Sequence, residues 1–209
     1  MISYTITACN EDRELLTLLD TISPHITDDD ELIIQLDADR VTDDVRSVVD
    51  RYLETIKNMV VVEFPLSNDF ASFKNNLKRY CTKKWIFNLD ADEVPSIYLL
   101  ENIKNILTTN DRVDMFLIPR WNTVFGITPD HIQKWGWTFD NEERVNWPDY
   151  QTRIYKNLDS IVWINKVHER IDGFTTYANM PEDEAYCIYH MKTINKQENQ
   201  NLFYQTMEK

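Results

Sequence analysis

A chain of 209 residues with 43% hydrophobic and 12% aromatic content can bury a sizeable core, as one large domain or two lobes sharing it. Its formal net charge of −13 repels phosphate backbones, and no basic cluster offsets it, so a general nucleic-acid partner is disfavoured. The only glycines are Gly126, Gly136 and Gly173; no Gly-rich phosphate loop is possible, which removes Walker-type NTPases and the dinucleotide-binding fingerprint together.

In chain order, the first half alternates strand and helix. ISYTITAC reads as a strand and EDRELLTLLDTI as a helix with acidic residues in its first turn. ELIIQLDA is a second strand, followed by the helix TDDVRSVVDRYLETI; MVVVEFPL is a third strand, followed by DFASFKNNLKRYCT. KKWIFNLDADE is a fourth strand, and PSIYLLENIKNILTT a helix with Pro95 near its start. This order predicts an α/β fold with a mostly parallel sheet and helices on both faces, binding its ligand at the carboxyl ends of the strands. Near residue 112 the rhythm stops. VDMFLIPRWNTVFG reads as one strand, and DYQTRIYKN, SIVWINKVHERI and EAYCIYHM as short strands of a mixed region. Five of the six tryptophans fall after residue 120, and the polar tail TINKQENQNLFYQTMEK reads as helical.

The three cysteines, Cys9, Cys81 and Cys187, are odd in number and form no CxxC pair, so neither a zinc site nor a disulfide framework is indicated. MISYTITACNEDRE has no basic flank and turns polar too early for a signal peptide, and no apolar run is long enough to span a bilayer. The expectation is a cytoplasmic protein without a transmembrane segment.

Two strands run directly into Asp-Ala-Asp: ELIIQLDADRVTDD, with Asp37 and Asp39, and KKWIFNLDADEVPS, with Asp90 and Asp92. Carboxylates at a strand mouth suit a hard divalent cation such as Mg2+ or Mn2+. In one parallel sheet the two copies are neighbours or near-neighbours, and four clustered carboxylates repel one another unless a cation lies among them.

The succession CNED, LDAD, NDFASFKN, NLDADE, WPDYQTRIYK, VHER and IYHMK resembles family 2 glycosyltransferases of the GT-A fold, and more narrowly the branch with lipopolysaccharide-core β-1,4-glucosyltransferases and related short viral and bacterial enzymes. The resemblance implies a nucleotide-sugar-binding half at 1–112 and an acceptor-binding half at 113–209 of a single domain. It implies a donor pocket of Thr7, Ala8, Asn10, Glu11, Asp37, Lys74, Asn75, Asp90 and Ala91, with Asp37 beside the base. The metal, Mn2+ or Mg2+, falls to the second copy: Asp92 as direct ligand, with Asp90 and His190 as further contacts. Asp149 or Glu169 is the base of an inverting transfer to a glycan hydroxyl, Asp149 preferred, with a UDP-sugar as donor. Lys74 stands where the family usually has arginine, and LDADRVTDD replaces its D-T-G-S-T-D-like segment, without the glycine.

Each residue also has a plainer reading. His190 is a structural histidine, Lys74 part of a solvated helix face, Asp149 a turn residue after Pro148, and Glu169 an exposed partner of Lys166 or Arg170. One or two of Trp121, Trp135, Trp137 and Trp147 are expected to stack on acceptor sugar, the others being core. Alternatives are a nucleotidyltransferase, disfavoured by the glycine-free CNEDRELL, a glycosyltransferase of modified DNA bases, disfavoured by charge, and a non-catalytic nucleotide-sugar- or carbohydrate-binding relative.

Overall fold

The computed structural model describes residues 1–207; the last two residues of the helical tail lie outside it. The elements run Ile2–Ala8 (β1), Asp12–Ile22 (α1), Glu31–Asp37 (β2), Asp43–Leu53 (α2), Met59–Phe64 (β3), Phe70–Lys78 (α3), Trp85–Asp90 (β4), Glu93–Pro95 (β5) and Ile97–Thr109 (α4). There follow Met115–Ile118 (β6), Arg120–Phe125 (β7), Pro129–Trp135 (α5), Gln151–Lys156 (β8), Val162–Ile164 (β9), Arg170–Asp172 (β10), Tyr177–Asn179 (β11), Ile188–Thr193 (β12) and Ile194–Met207 (α6).

The four strand–helix alternations of the first half stand where periodicity puts them, and local chemistry explains their starts. Thr42, Asp69 and Ser96 each accept a hydrogen bond from a backbone N–H in the first turn of α2, α3 and α4, which meets an otherwise orphaned donor. Apolar residues at helical spacing, such as Leu15, Leu18, Leu19 and Ile22 of α1, are fully buried. They join Ile2, Tyr4 and Ile6 of β1 and the inner faces of α2 and α4 in one core. The opposite face of the sheet, under α3, is partly polar: Asn76 donates to Gln35 Oε1 at 2.8 Å, and the Gln35 amide donates to the Phe73 carbonyl at 2.6 Å.

The main sheet has the order β11-β6-β8-β4-β1-β2-β3, with β8 antiparallel to the rest. Strands β6, β8 and β11, all from beyond residue 112, thus extend the sheet of the first half. The chain moves outward from β1 through β2 to β3 and then crosses back to β4, so the switch of direction lies between β1 and β4, with Thr7 paired to Asp90 at its mouth. A second sheet, β5-β12-β7, stands beside that mouth, and its register puts Glu93, His190 and Asn122 in one row.

The second half departs from the sequence reading in three places. VDMFLIPRWNTVFG is two strands in two sheets, because Pro119, which has no N–H to give a ladder, sits between them. SIVWINKVHERI is the β9-β10 hairpin, and EAYCIYHM begins as a 3-10 turn at Glu184–Tyr186 before β12. Elements as short as α5, β5 and β11 carry too few residues for a periodic signal.

Gly173 closes the loop after β10 with φ +83, and a Cβ there would lie 1.7 Å from the Ser160 carbonyl oxygen. Gly136 ends α5 at φ +64 with open space around it. Gly173→Ala should therefore destabilise the fold by about 3 kcal/mol or more, since backbone must move. Gly136→Ala should cost only about 1 kcal/mol for the left-handed conformation. Urea denaturation of both variants measures the contrast, and equal losses would contradict it.

Candidate active site

The carboxyl ends of β1 and β4, the β5-β12-β7 sheet, the loops before β8 and β10, and α6 enclose a cleft of about 1110 Å³. That exceeds the roughly 300–1,000 Å³ usual for one small-molecule site. Seven of the chain's 22 lysines and arginines line it, facing seven of its 35 acids. A molecule of charge −13 therefore presents a charge-balanced cleft.

Its floor is a chain of alternating charges. Glu169 Oε1 meets Lys74 Nζ at 2.7 Å, and Lys74 meets Asp90 Oδ1 at 3.2 Å. Arg153 Nη2 donates to Asp90 Oδ2 and to Glu93 Oε1, both at 2.6 Å. Arg120 Nη1 donates to Glu93 Oε1 at 3.0 Å and, through Nε and Nη2, to Asp149 Oδ2 at 2.9 and 2.8 Å. Glu93 is fully buried, and Lys74 and Arg153 nearly so. Burial alone would raise the pKa of Asp90, but Arg153 and Lys74 outweigh it and hold the carboxyl well below its usual range. The same contest leaves Asp149 below its ordinary value, because Arg120 and the Asn122 amide, 2.7 Å from Oδ2, overcome desolvation. Lys74 is also within 4.7 Å of the Trp163 ring centroid.

Asp92 belongs to a second cluster. Its Oδ2 lies 3.5 Å from His190 Nε2, 3.6 Å from Lys192 Nζ and 3.4 Å from Lys196 Nζ. His190, Lys192 and Lys196 hold the Asp92 pKa well below normal against a burial that would raise it. Burial pushes the His190 pKa down, which favours the neutral ring. The Asn122 amide nitrogen donates to Asp149, so its carbonyl faces His190 Nδ1 at 2.7 Å and makes that nitrogen the donor. In the neutral ring Nε2 then turns a lone pair toward Asp92. A carboxylate oxygen and an imidazole nitrogen, each fixed by its own partner, are a donor set for a divalent cation.

The two Asp-Ala-Asp copies flank β1, one strand apart on either side. Asp37 accepts from the backbone N–H of Asp39 and Leu66 and from Arg40 Nε at 2.8 Å, holding its own loop, while Asp39 is exposed. Of the residues singled out in sequence, Thr7, Ala8, Asn10, Glu11, Asp37, Lys74, Asp90, Ala91, Asp92, Asp149, Glu169 and His190 line the cleft. Asn75 does not. Its amide bonds the backbone of Trp163 in both directions, at 2.8 and 2.9 Å, and ties α3 to β9. Glu169 pairs with Lys74 across the fold, not with Lys166 or Arg170 beside it. Among Trp121, Trp135, Trp137 and Trp147, Trp137 lines the cleft; Trp121 and Trp147 pack edge-to-face, and Arg144 lies over both rings, 4.9 and 4.4 Å from their centres.

Sequence reasoning gave no site role to Glu93, Arg120, Asn122, Arg153, Lys192 or Lys196. Three of these carried a signal: Glu93 and Arg153 lie inside the motifs NLDADE and WPDYQTRIYK, and strand alternation puts Lys192 on the face of His190.

A family model described as glycosyl transferase family 2 matches residues 3–197. The chain belongs to glycosyl transferase family 2. No curated protein matches its sequence. Among solved structures, S. aureus TarS 1–349 superposes with a TM-score of 0.64 at 13% identity, over 91% of this chain and 60% of that one. TarS 1–349 in complex with UDP-GlcNAc gives 0.66 at 16%, over 91% and 58%. The likeness is one of fold, GT-A, and this family 2 chain spans about 60% of the length of TarS 1–349. The matches do not single out the lipopolysaccharide-core branch.

Removing one member of a buried ion-pair chain strands the others. Glu93→Gln should destabilise the protein by about 3 kcal/mol or more. Urea unfolding of the variant reads this directly, and a loss under about 1 kcal/mol would mean that the chain is not a structural tie.

Proposed function

We propose that the protein transfers a sugar from a nucleotide-diphosphate donor, a UDP-sugar, to a glycan hydroxyl with inversion at the anomeric carbon. The observation that carries this reading is the charge-balanced cleft at the switch point of the sheet, in a chain that is otherwise strongly acidic. TarS 1–349, which shares the fold, is seen with UDP-GlcNAc, and this supports the same donor class here.

The donor side is built mainly from 1–112, with His190, Lys192 and Lys196 added from the second half. Glu11 accepts from the N–H groups of Cys9 and Asn10 and shapes the loop after β1. Asp37 and Arg40 form the wall where the base would lie. Asp90 has both oxygens committed to Thr7, Lys74 and Arg153, so its part is to set the shape and charge of the floor. Asp92 and His190 fit a divalent cation, Mn2+ or Mg2+, which when bound would offset charge on the departing diphosphate. Asp149 serves as base from the acceptor half, 113–209. Arg120, Asn122 and Gln151 fix its orientation, it is ionised at neutral pH, and Trp137 and Tyr150 also line the cleft. Glu169, bound to Lys74, supports the donor side instead. The free cysteines Cys9, Cys81 and Cys187 support a reducing, cytoplasmic setting.

Calorimetry with UDP, GDP and CMP should find one preferred nucleoside diphosphate whose binding Mn2+ tightens, and Asp92→Ala should remove that tightening. Binding of none of them would sink the reading. Asp149→Asn should slow release of the donor sugar, to water or an acceptor, by about 10²–10⁴-fold, with donor affinity kept. An equal or larger loss in Glu169→Gln alone would transfer the role to Glu169.

A further inference from the structure

Asp92 meets more positive charge than one carboxylate can balance. Lys192 and Lys196 both point Nζ at its Oδ2, and the Lys192 side chain is only 6% exposed. Lys192 also donates to Gln200 Oε1 at 2.7 Å, and Lys196 reaches Glu14 Oε1 at 2.9 Å. Two carboxylates and two ammonium groups are thus balanced before any ligand arrives. Both lysines line the cleft with the candidate donor residues.

A divalent cation seated alone on Asp92 and His190 would add two uncompensated charges beside both ammonium groups, in a partly desolvated site. A diphosphate has the opposite charge and enough oxygens for both lysines. We infer that Lys192 and Lys196 form a clamp for the donor's diphosphate, one that binds it without metal and keeps a divalent cation out until the diphosphate is present. The nature of the anion rests on the glycosyltransferase reading; the charge arrangement does not. The order of binding follows: diphosphate first, with Lys196 turning from Asp92 to phosphate, and cation second.

Titrations of the full chain with inorganic pyrophosphate, UDP, UMP and Mn2+, each in a separate experiment and the anions in chelator, test the clamp. Wild type should bind pyrophosphate and UDP without metal, UDP at least about tenfold tighter than UMP. Lys196→Gln, on a half-buried side chain at the start of α6, should weaken pyrophosphate and UDP about tenfold while UMP changes little. The same variant should bind Mn2+ alone more tightly than wild type. These opposite signs are the signature, because a merely structural lysine would weaken every ligand together. Lys192→Met should act in the same sense, and if circular dichroism shows it unfolded, Lys196→Gln decides. The clamp is overturned if UDP binds only with Mn2+, or if Lys196→Gln leaves both UDP and Mn2+ unchanged. In either case binding of UDP would keep the glycosyltransferase reading. Pyrophosphate binding that follows the lysines, without binding of any nucleoside diphosphate, would keep the clamp and overturn the donor.

Discussion

The run Glu169–Lys74–Asp90–Arg153–Glu93–Arg120–Asp149 is the constraint on which the rest depends. It joins α3, β4, β5, β7 and β8 to the loops that carry Glu169 and Asp149, and so locks the main sheet to the second sheet. Four carboxylates packed this closely would repel one another; three cations are interleaved among them, and Arg153, Lys74 and Arg120 hold Asp90 and Asp149 below their ordinary pKa against burial. Buried pairs of this kind add little net stability over an apolar core of the same volume. Their value lies in preorganisation: charged groups stand in fixed places before a charged ligand arrives, and need not reorganise when it does.

The same physics separates the two Asp-Ala-Asp copies. Both end a parallel strand beside β1, and local sequence makes them near twins. The first is satisfied at short range by Arg40 and by backbone N–H groups of its own and the next strand's loop. The second is satisfied at long range, by groups brought from α3, β8, β12 and α6. Asp37 is held by its own turn, whereas Asp90 and Asp92 gather cations from across the fold, and all three line the cleft. The polar tail acquires its meaning here as well: α6 carries Lys196, Gln200, Phe203 and Tyr204 to the cleft wall, so the last helix contributes to the site.

Much of this is legible in the sequence. Periodicity of two and near four placed the four strand–helix units, and a parallel sheet entails ligand binding at the strand ends where Thr7, Asp37, Asp90 and Asp92 lie. Composition excluded Gly-rich phosphate loops and made any local positive charge significant. The second half was harder to read because its strands are three to six residues long and draw stability from partners far away in sequence.

What the linear chain could not convey is pairing. Asp90 and Arg153 are 63 residues apart, Glu93 and Arg153 are 60, and only the return of β8 antiparallel to β4 brings them within hydrogen-bond reach. Asn75 looks like a donor-site residue in its motif, yet the docking of β9 turns its amide to the Trp163 backbone. Local periodicity records which face of an element is buried, because burial acts on each residue through its own neighbours in the strand or helix. Which charges meet depends on chain crossings, which no stretch of sequence records locally, and those meetings give the two Asp-Ala-Asp copies their different partners.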